Sequence, residues 1–349
     1  MSRSDLPMAE AARKALGDAL FDYMIGRADD ALSFDEDANV AAFRRYKLVP
    51  RLFGTTDPDL TATLASHTLA APLVIGAFAG DRVFHPEGLL PIARSARRMG
   101  LALFVSEETV TPLDHIVAAN RQTWLQLRGA GPVERIARII KGAADAGAAG
   151  IVLTLLAPSH PRPGQRPGGY DIGAELRKRD WRTIGTMLDG SNAFGVAPLP
   201  ALPVWQEEDL RHATQAAREA GLPLIVKGVL HPGDVAPVLG AAAAGLAVSN
   251  IGLRQSDRWA TALDQLPEIR AAAPQARILL DGGIRHPADI LIARLLGADL
   301  AVTTRPVISA LTGGGEAGVD AFLRRMIDGL YALSLWLGSG EVRLLQAGD

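Results

Sequence analysis

The chain has 349 residues, of which 48% are hydrophobic and 21% charged, with 36 Lys+Arg against 38 Asp+Glu and a formal net charge of -2. These values suit a soluble globule with a large core and exclude wholesale disorder, and near-neutrality removes any global pull toward nucleic acid or an anionic membrane. The absence of cysteine excludes disulfides, thiolate metal ligands, iron–sulfur clusters and a Cys nucleophile.

The start, MSRSDLPMAEAARKALGDAL, lacks the apolar core of a signal peptide. No run approaches the roughly 18 apolar residues of a membrane span. Aromatics at 5% do not suit a platform for stacking bases. A cytoplasmic protein with no membrane or nucleic-acid partner is expected.

Residues 1–72 read as a helical lead-in followed by a Pro-containing stretch, RYKLVPRLFG. Eight apolar runs follow: LVIGAF (73–78), LALFVS (101–106), WLQL (124–127), GIVLTL (150–155), LPLIVKG (222–228), GLAVSN (245–250), RILLDGG (277–283) and LAVTTRP (300–306). Most lack polar alternation, as strands buried on both faces do. Between them lie helical segments such as PEGLLPIARSARRMG, PVERIARIIKGAADAGA, EEDLRHATQAAREAG and PADILIARLLGA, several opened by Pro and closed by Gly. Eight strand–helix units predict one α/β domain over 1–349, a closed (β/α)8 TIM barrel; a doubly wound open sheet is the rival. The Pro-, Gly- and Arg-rich stretch within 157–205 is too long for an ordinary connection and reads as a lid-like loop over the catalytic face, the alternative being a disordered insertion.

In such a barrel the C-terminal strand ends face the active site. Here they supply Ala77, Phe78, Ser106, Gln126, Thr154, Lys227, Ser249, Asp281, Gly282, Gly283, Thr304 and Arg305. A Gly pair with Arg285 close behind it, and a second Arg one strand later, suits a phosphate, although DGG alone is also an ordinary tight turn. Lys227 closes a buried run and needs a reason. It could form a Schiff base, stabilise negative charge on a cofactor, or pair with a neighbouring strand-end carboxylate. The histidines show no metal-ligand spacing, and no metal site is expected.

The stretches FDYMIGRADDALSFDEDANVAAFRRYKLVPRLF, HPEGLLPIARSA, LPLIVKGVL, SNIGLRQSD, DGGIRHPADILIARLLGAD and TRPVISALTGGGEAGV resemble the FMN-dependent α-hydroxy acid oxidase and dehydrogenase family, from about Leu20 to Gly338. The resemblance implies FMN at the barrel mouth, with Ala77 to Ala79 against the ring and Ser106, Gln126 and Thr154 bonding its heteroatoms. Lys227 would stabilise the reduced ring, and Ser249 would touch the ribityl chain. Asp281, Gly282, Gly283, Arg285 and Arg305 would hold ribityl and phosphate. Thr304 stands where the family has Gly, so its β-carbon is expected to crowd the phosphate. Family members are commonly tetramers or larger, which implies a homo-oligomer.

The family's catalytic pair is not there. In its SNHGGRQLD-like segment the His position is Ile251, and the partner Asp position is Leu156. An isoleucine cannot accept a proton. Tyr23 and Arg254 match the substrate-carboxylate grip. The position of a family tyrosine is Arg128, that of a second arginine is Pro163 with Arg162 beside it, and that of an aromatic is Glu108. Tyr23, Arg128, Arg162 and Arg254 therefore suit a small anionic substrate. His160 and Glu108 are the substitute bases, against readings as a solvated loop residue and as a salt bridge to Arg128. The expectation is hydride removal from an anion other than a simple 2-hydroxy acid. Redox-neutral isomerisation or dehydration, and a non-catalytic FMN-binding homologue, are the alternatives.

Overall fold

The computed structural model describes residues 6–26, 37–54, 56–155, 169–191, 193–195, 205–254, 256–338 and 343–346. Eight parallel strands close a barrel: β1 (Leu73–Ile75), β2 (Ala102–Ser106), β3 (Thr123–Arg128), β4 (Gly150–Thr154), β5 (Leu224–Val229), β6 (Gly245–Ser249), β7 (Ile278–Asp281) and β8 (Leu300–Thr303). β8 returns onto β1, with Ala301, Val302 and Thr303 opposite Leu73, Val74 and Ile75. This closure excludes the open-sheet rival. Each of the eight apolar runs carries one strand. The first and last strands stop earlier than their runs, the last because Arg305 already begins a helix (Arg305–Leu337) that is broken at Gly315, where φ is 59°.

The barrel interior follows the two-residue period of a strand. Val74, Phe104, Trp124, Val152, Ile225, Ala247, Leu279 and Val302 form one apolar cluster. Two residues further along, the same face carries Gly76, Ser106, Gln126, Thr154, Lys227, Ser249, Asp281 and Thr304. A dry apolar floor therefore lies beneath a polar layer at the C-terminal mouth. A bulge between Lys227 and Val229, where Gly228 has φ 99°, offsets the register just past the lysine.

The outer helices bury one face against the strands. In Val133–Asp145 the buried residues are Ile136, Ile139, Ile140 and Ala143, the 3.6-residue stripe of an amphipathic helix.

The lead-in holds helices Ala9–Leu16, Asp18–Ile25 and Ala38–Phe43, but also strands that were not expected. RYKLVP contributes strand Tyr46–Val49, which pairs antiparallel with Arg343–Gln346. The hairpin Ala62–Leu64/His67–Leu69 adds Leu64 and Leu69 to the interior cluster. It bonds to residues just ahead of β3 and β7, Gln122 Nε2 to Thr68 O and Arg277 Nη2 to Thr63 Oγ1, so it lies at the N-terminal end of the barrel. The described part of 157–205 is not plain loop. It holds helices Ile172–Lys178 and Ile184–Leu188, N-capped by the side chains of Asp171 and Thr183. No helix among the described residues is long and apolar enough to cross a membrane.

Candidate active site

The polar layer opens into a cavity of about 830 Å³ lined by residues from the strand ends, the lead-in and the segment after β4. Of the residues expected to hold cofactor, Ala77, Phe78, Ala79, Ser106, Gln126, Thr154, Lys227, Asp281, Gly282, Gly283, Arg285, Thr304 and Arg305 all line it. Ser249 does not line it; it is fully buried behind Asp281, donating its hydroxyl to Oδ2 at 2.6 Å. Tyr23, Glu108, Arg128, Ile251 and Arg254 line the same cavity. His160, Arg162, Pro163 and Leu156 lie outside the described residues.

Lys227 Nζ lies 2.6 Å from Asp281 Oδ2, so the strand-end ion pair is real. It does not remove Lys227 from the cavity wall. The pair resolves the cost of burying an ammonium at a position that is 7% exposed.

The Gly pair has a reason other than phosphate access. A Cβ on Gly283 would lie 2.3 Å from the backbone oxygen of Asn39, and Gly283 itself has φ 82°. The helix Ala38–Phe43 packs against this turn and only glycine lets it approach. That helix is fixed a second time by a reciprocal amide pair, Asn39 Nδ2 to Asn250 Oδ1 at 3.0 Å and Asn250 Nδ2 to Asn39 Oδ1 at 2.8 Å. Thr304 is accommodated in a similar way. A Cβ on Gly76 would lie 2.0 Å from Thr304 Oγ1, so the threonine side chain fills the space that Gly76 leaves on the neighbouring strand.

The two arginines assigned to phosphate share one carboxylate that the sequence reading missed. Asp37 Oδ2 accepts from Arg305 Nη1 at 2.7 Å and lies 3.5 Å from Arg285 Nη2. Arg305 Nη2 also donates to Gly252 O at 2.6 Å. Asp37 is visible in the sequence only as an acidic residue ahead of a short helix, because its partners lie far along the chain.

Arg254, which also lines the cavity, donates from Nη2 to Tyr23 O at 2.9 Å and Met24 O at 3.1 Å. Its guanidinium carbon sits 5.0 Å from the centre of the Tyr23 ring, in cation–π range. Burial lowers its pKa to about 10, which leaves it charged at neutral pH. Burial raises the Tyr23 phenol; Arg254 opposes this, while Glu108 and Asp171 add to it. Tyr170, from the segment after β4, stacks at a tilt 5.6 Å from Tyr23.

Arg128 lines the cavity with carboxylate partners already in place. Its Nη1 lies 2.8 Å from Glu108 Oε1, and its Nε is 3.5 Å from Glu107 Oε1. Glu108 thus makes the salt bridge weighed against its role as a base. Glu107 was missed. Its side chain is 2% exposed and also takes Arg135 Nη2 at 2.8 Å. Burial alone would raise the Glu107 pKa, but Arg128 and Arg135 outweigh burial and hold it below the ordinary value. The signal was the doublet Glu107–Glu108 itself: adjacent residues past a strand end face different surroundings.

The profile of the FMN-dependent dehydrogenase family matches residues 12–346. The 4-hydroxymandelate oxidase of Amycolatopsis orientalis is 31% identical over 329 residues, covering 92% of this chain and 90% of the relative. The L-lactate oxidase of Lacticaseibacillus rhamnosus (strain LMS2-1) is 32% identical over 324 residues, covering 90% and 85%. A crystal structure of mandelate oxidase superposes with a TM-score of 0.82 at 28% identity, covering 98% of each chain.

The cavity fits the cofactor that this family uses. Gln126 Oε1 and Thr154 Oγ1 are buried with no hydrogen-bond partner among the described residues, and both residues line the cavity. Orphaned buried polar atoms are costly, and a flavin ring would supply the missing partners. Lys227, Arg285 and Arg305 add three cations to the wall, suited to an anionic nucleotide. Fold, lining and likeness agree: the chain belongs to the FMN-dependent dehydrogenase family, as an oxidoreductase whose cofactor is FMN.

Proposed function

We propose that this oxidoreductase removes a hydride from a small anionic substrate other than a simple 2-hydroxy acid, without a His–Asp base. The observation that carries this reading is Ile251. It lines the cavity at the position where the family pattern has its proton-accepting His, and a hydrocarbon cannot take a proton. The relatives named for 4-hydroxymandelate and L-lactate set the background from which the chain departs.

The chemistry that FMN supplies when bound is hydride acceptance. Gln126, Thr154 and Lys227 would hold its ring, and Arg285 and Arg305 its phosphate. Arg254 and Tyr23 bind and orient the substrate anion, since Arg254 keeps its charge and spends Nη2 on neutral carbonyls. Ile251 and Phe78 keep water from the reacting carbon. Glu108 holds Arg128, which makes Arg128 a poorer anion grip than its charge suggests. Binding then supplies orientation and electrostatics rather than strong base catalysis.

Anaerobic mixing of the holoenzyme with candidate substrates tests this. Lactate, glycolate and mandelate are expected not to bleach the yellow absorption over the time of a family turnover. An anion whose reacting carbon needs no hydroxyl deprotonation is expected to bleach it. Rapid bleaching by lactate or glycolate would overturn the reading.

A further inference from the structure

Five ionised side chains form a line that ends in the cavity. Asp189 Oδ2 lies 2.9 Å from Arg135 Nε, and Arg135 Nη2 lies 2.8 Å from Glu107 Oε2. Glu107 Oε1 lies 3.5 Å from Arg128 Nε, and Arg128 Nη1 lies 2.8 Å from Glu108 Oε1. Three carboxylates alternate with two guanidiniums, so the line carries one excess negative charge. Its outermost carboxylate is Glu108, the member that shares the cavity wall with Arg128. Asp189 and Glu107 are shut in, with side chains 7% and 2% exposed, whereas Glu108 is 16% exposed.

The same cavity wall carries the opposite charge at Arg254, whose guanidinium carbon lies 5.0 Å from the centre of the Tyr23 ring. Among the described residues Arg254 has no carboxylate partner, only the carbonyls of Tyr23 and Met24. Both signs act on the Tyr23 phenol: Arg254 favours its charged form, and Glu108 with Asp171 oppose it. A ligand held at Tyr23 therefore shares the cavity with a cation, Arg254, and with the anionic end of the line, Glu108. Glu108 keeps Arg128 as its partner, but a substrate with a carboxylate alone satisfies Arg254 and adds no cation to offset the excess negative charge of the line. A ligand with a second, cationic group satisfies both.

Building on the anion-binding role of Arg254 and Tyr23, we propose that the substrate is a zwitterion of the amino-acid type, its carboxylate at Arg254 and Tyr23 and its ammonium at Glu108. Glu108 then sets specificity and takes one proton from the ammonium, because only the free amine can give up a hydride and become an iminium. It selects against a neutral hydroxyl at the position where an ammonium sits.

Two probes with one skeleton test this, mandelate bearing a hydroxyl and 2-phenylglycine bearing an ammonium. Binding to the FMN-loaded protein is read under anaerobic conditions as the concentration dependence of the flavin absorption change, a shift on binding or the rate of bleaching where turnover follows. Wild type is expected to bind 2-phenylglycine at least about tenfold more tightly than mandelate, the worth of one charge-assisted hydrogen bond. Glu108→Gln is expected to abolish that preference without weakening mandelate, and Glu108→Asp to keep it. Flavin content and melting temperature show that each variant is folded and loaded. Equal or tighter mandelate binding by wild type overturns the proposal, as does a Glu108→Gln variant that weakens both probes alike. Arg254→Met separates the two levels. If it leaves both probes unchanged, or if wild type binds neither probe, the anion-grip reading itself fails.

Discussion

Asp37 divides one carboxylate between two tasks. Oδ1 accepts from Asn39 N at 3.0 Å, capping the helix Ala38–Phe43, while Oδ2 faces Arg305 and Arg285. If those arginines hold the phosphate of FMN, the phosphate meets a like charge that already occupies them. Asp37→Asn keeps a side-chain oxygen for the cap, a role in which Asn serves about as well as Asp. It removes the competing charge. The expected result is FMN binding tightened by about tenfold, the factor that goes with about 1.4 kcal/mol of relieved repulsion. Riboflavin, which has no phosphate, is expected to bind unchanged. Fluorescence titration of the apoprotein with both flavins measures this. Weaker FMN binding would mean instead that Asp37 holds the arginines in place. None of this was readable in the sequence, because the bond from Arg305 to Asp37 spans 268 positions.

At the scale of elements, the helix Ala38–Phe43 is the piece that the barrel does not supply. It presses Asn39 O against Gly283, and Asn39 joins it to the end of β6 through Asn250. Gly283→Ala would put a Cβ into a backbone oxygen, which no rotamer change can relieve, and would do so at φ 82°. The loss is expected to exceed the roughly 1–2 kcal/mol of a left-handed alanine alone. It should appear as a lower melting temperature together with weaker FMN binding, since the helix also carries Asp37. A melting temperature within error of wild type would show that the helix is not docked as described. The barrel itself was legible because two periods coincide: eight apolar runs at barrel spacing, all but the first meeting a polar residue on the same face at the C-terminal end. Phe104 to Ser106, Trp124 to Gln126 and Leu279 to Asp281 are examples. The helices Ile172–Lys178 and Ile184–Leu188 were not legible. Spans of seven and five residues carry too few turns for a helical period to stand out, even though Asp171 and Thr183 are caps of the ordinary type.

The whole molecule is tied together by the charge line from Asp189 to Glu108, which links β2, β3, the helix Val133–Asp145 and the segment just past helix Ile184–Leu188. Backbone bonds run alongside it, Gly185 N to Glu107 O and Ile184 N to Thr109 O, both at 2.8 Å. Glu107 is its centre, and its pKa sets how the fold responds to acid. Burial alone would raise that pKa, but Arg128 and Arg135 bring it below 4.5. The folded value is therefore depressed, so the stabilisation is fully present above the unfolded pKa and is lost as pH falls through the folded one. Asp189 shifts the same way. Asp289, raised by burial, has the opposite sign: its contribution is present at low pH and lost as pH rises through its folded value. Glu107→Gln removes the central charge while keeping the shape, and leaves Arg135 and Arg128 buried with one partner fewer. At neutral pH it is expected to cost about 3–5 kcal/mol, the usual loss on breaking a buried pair from one side. Melting curves of wild type and variant between pH 7 and pH 3 decide the matter. The gap between them should hold steady down to about pH 4.5, the ordinary glutamate value, and narrow below it as wild-type Glu107 takes up its proton. A gap that stays constant through the acid range would mean that the variant suffers from packing and that the charge of Glu107 contributes nothing.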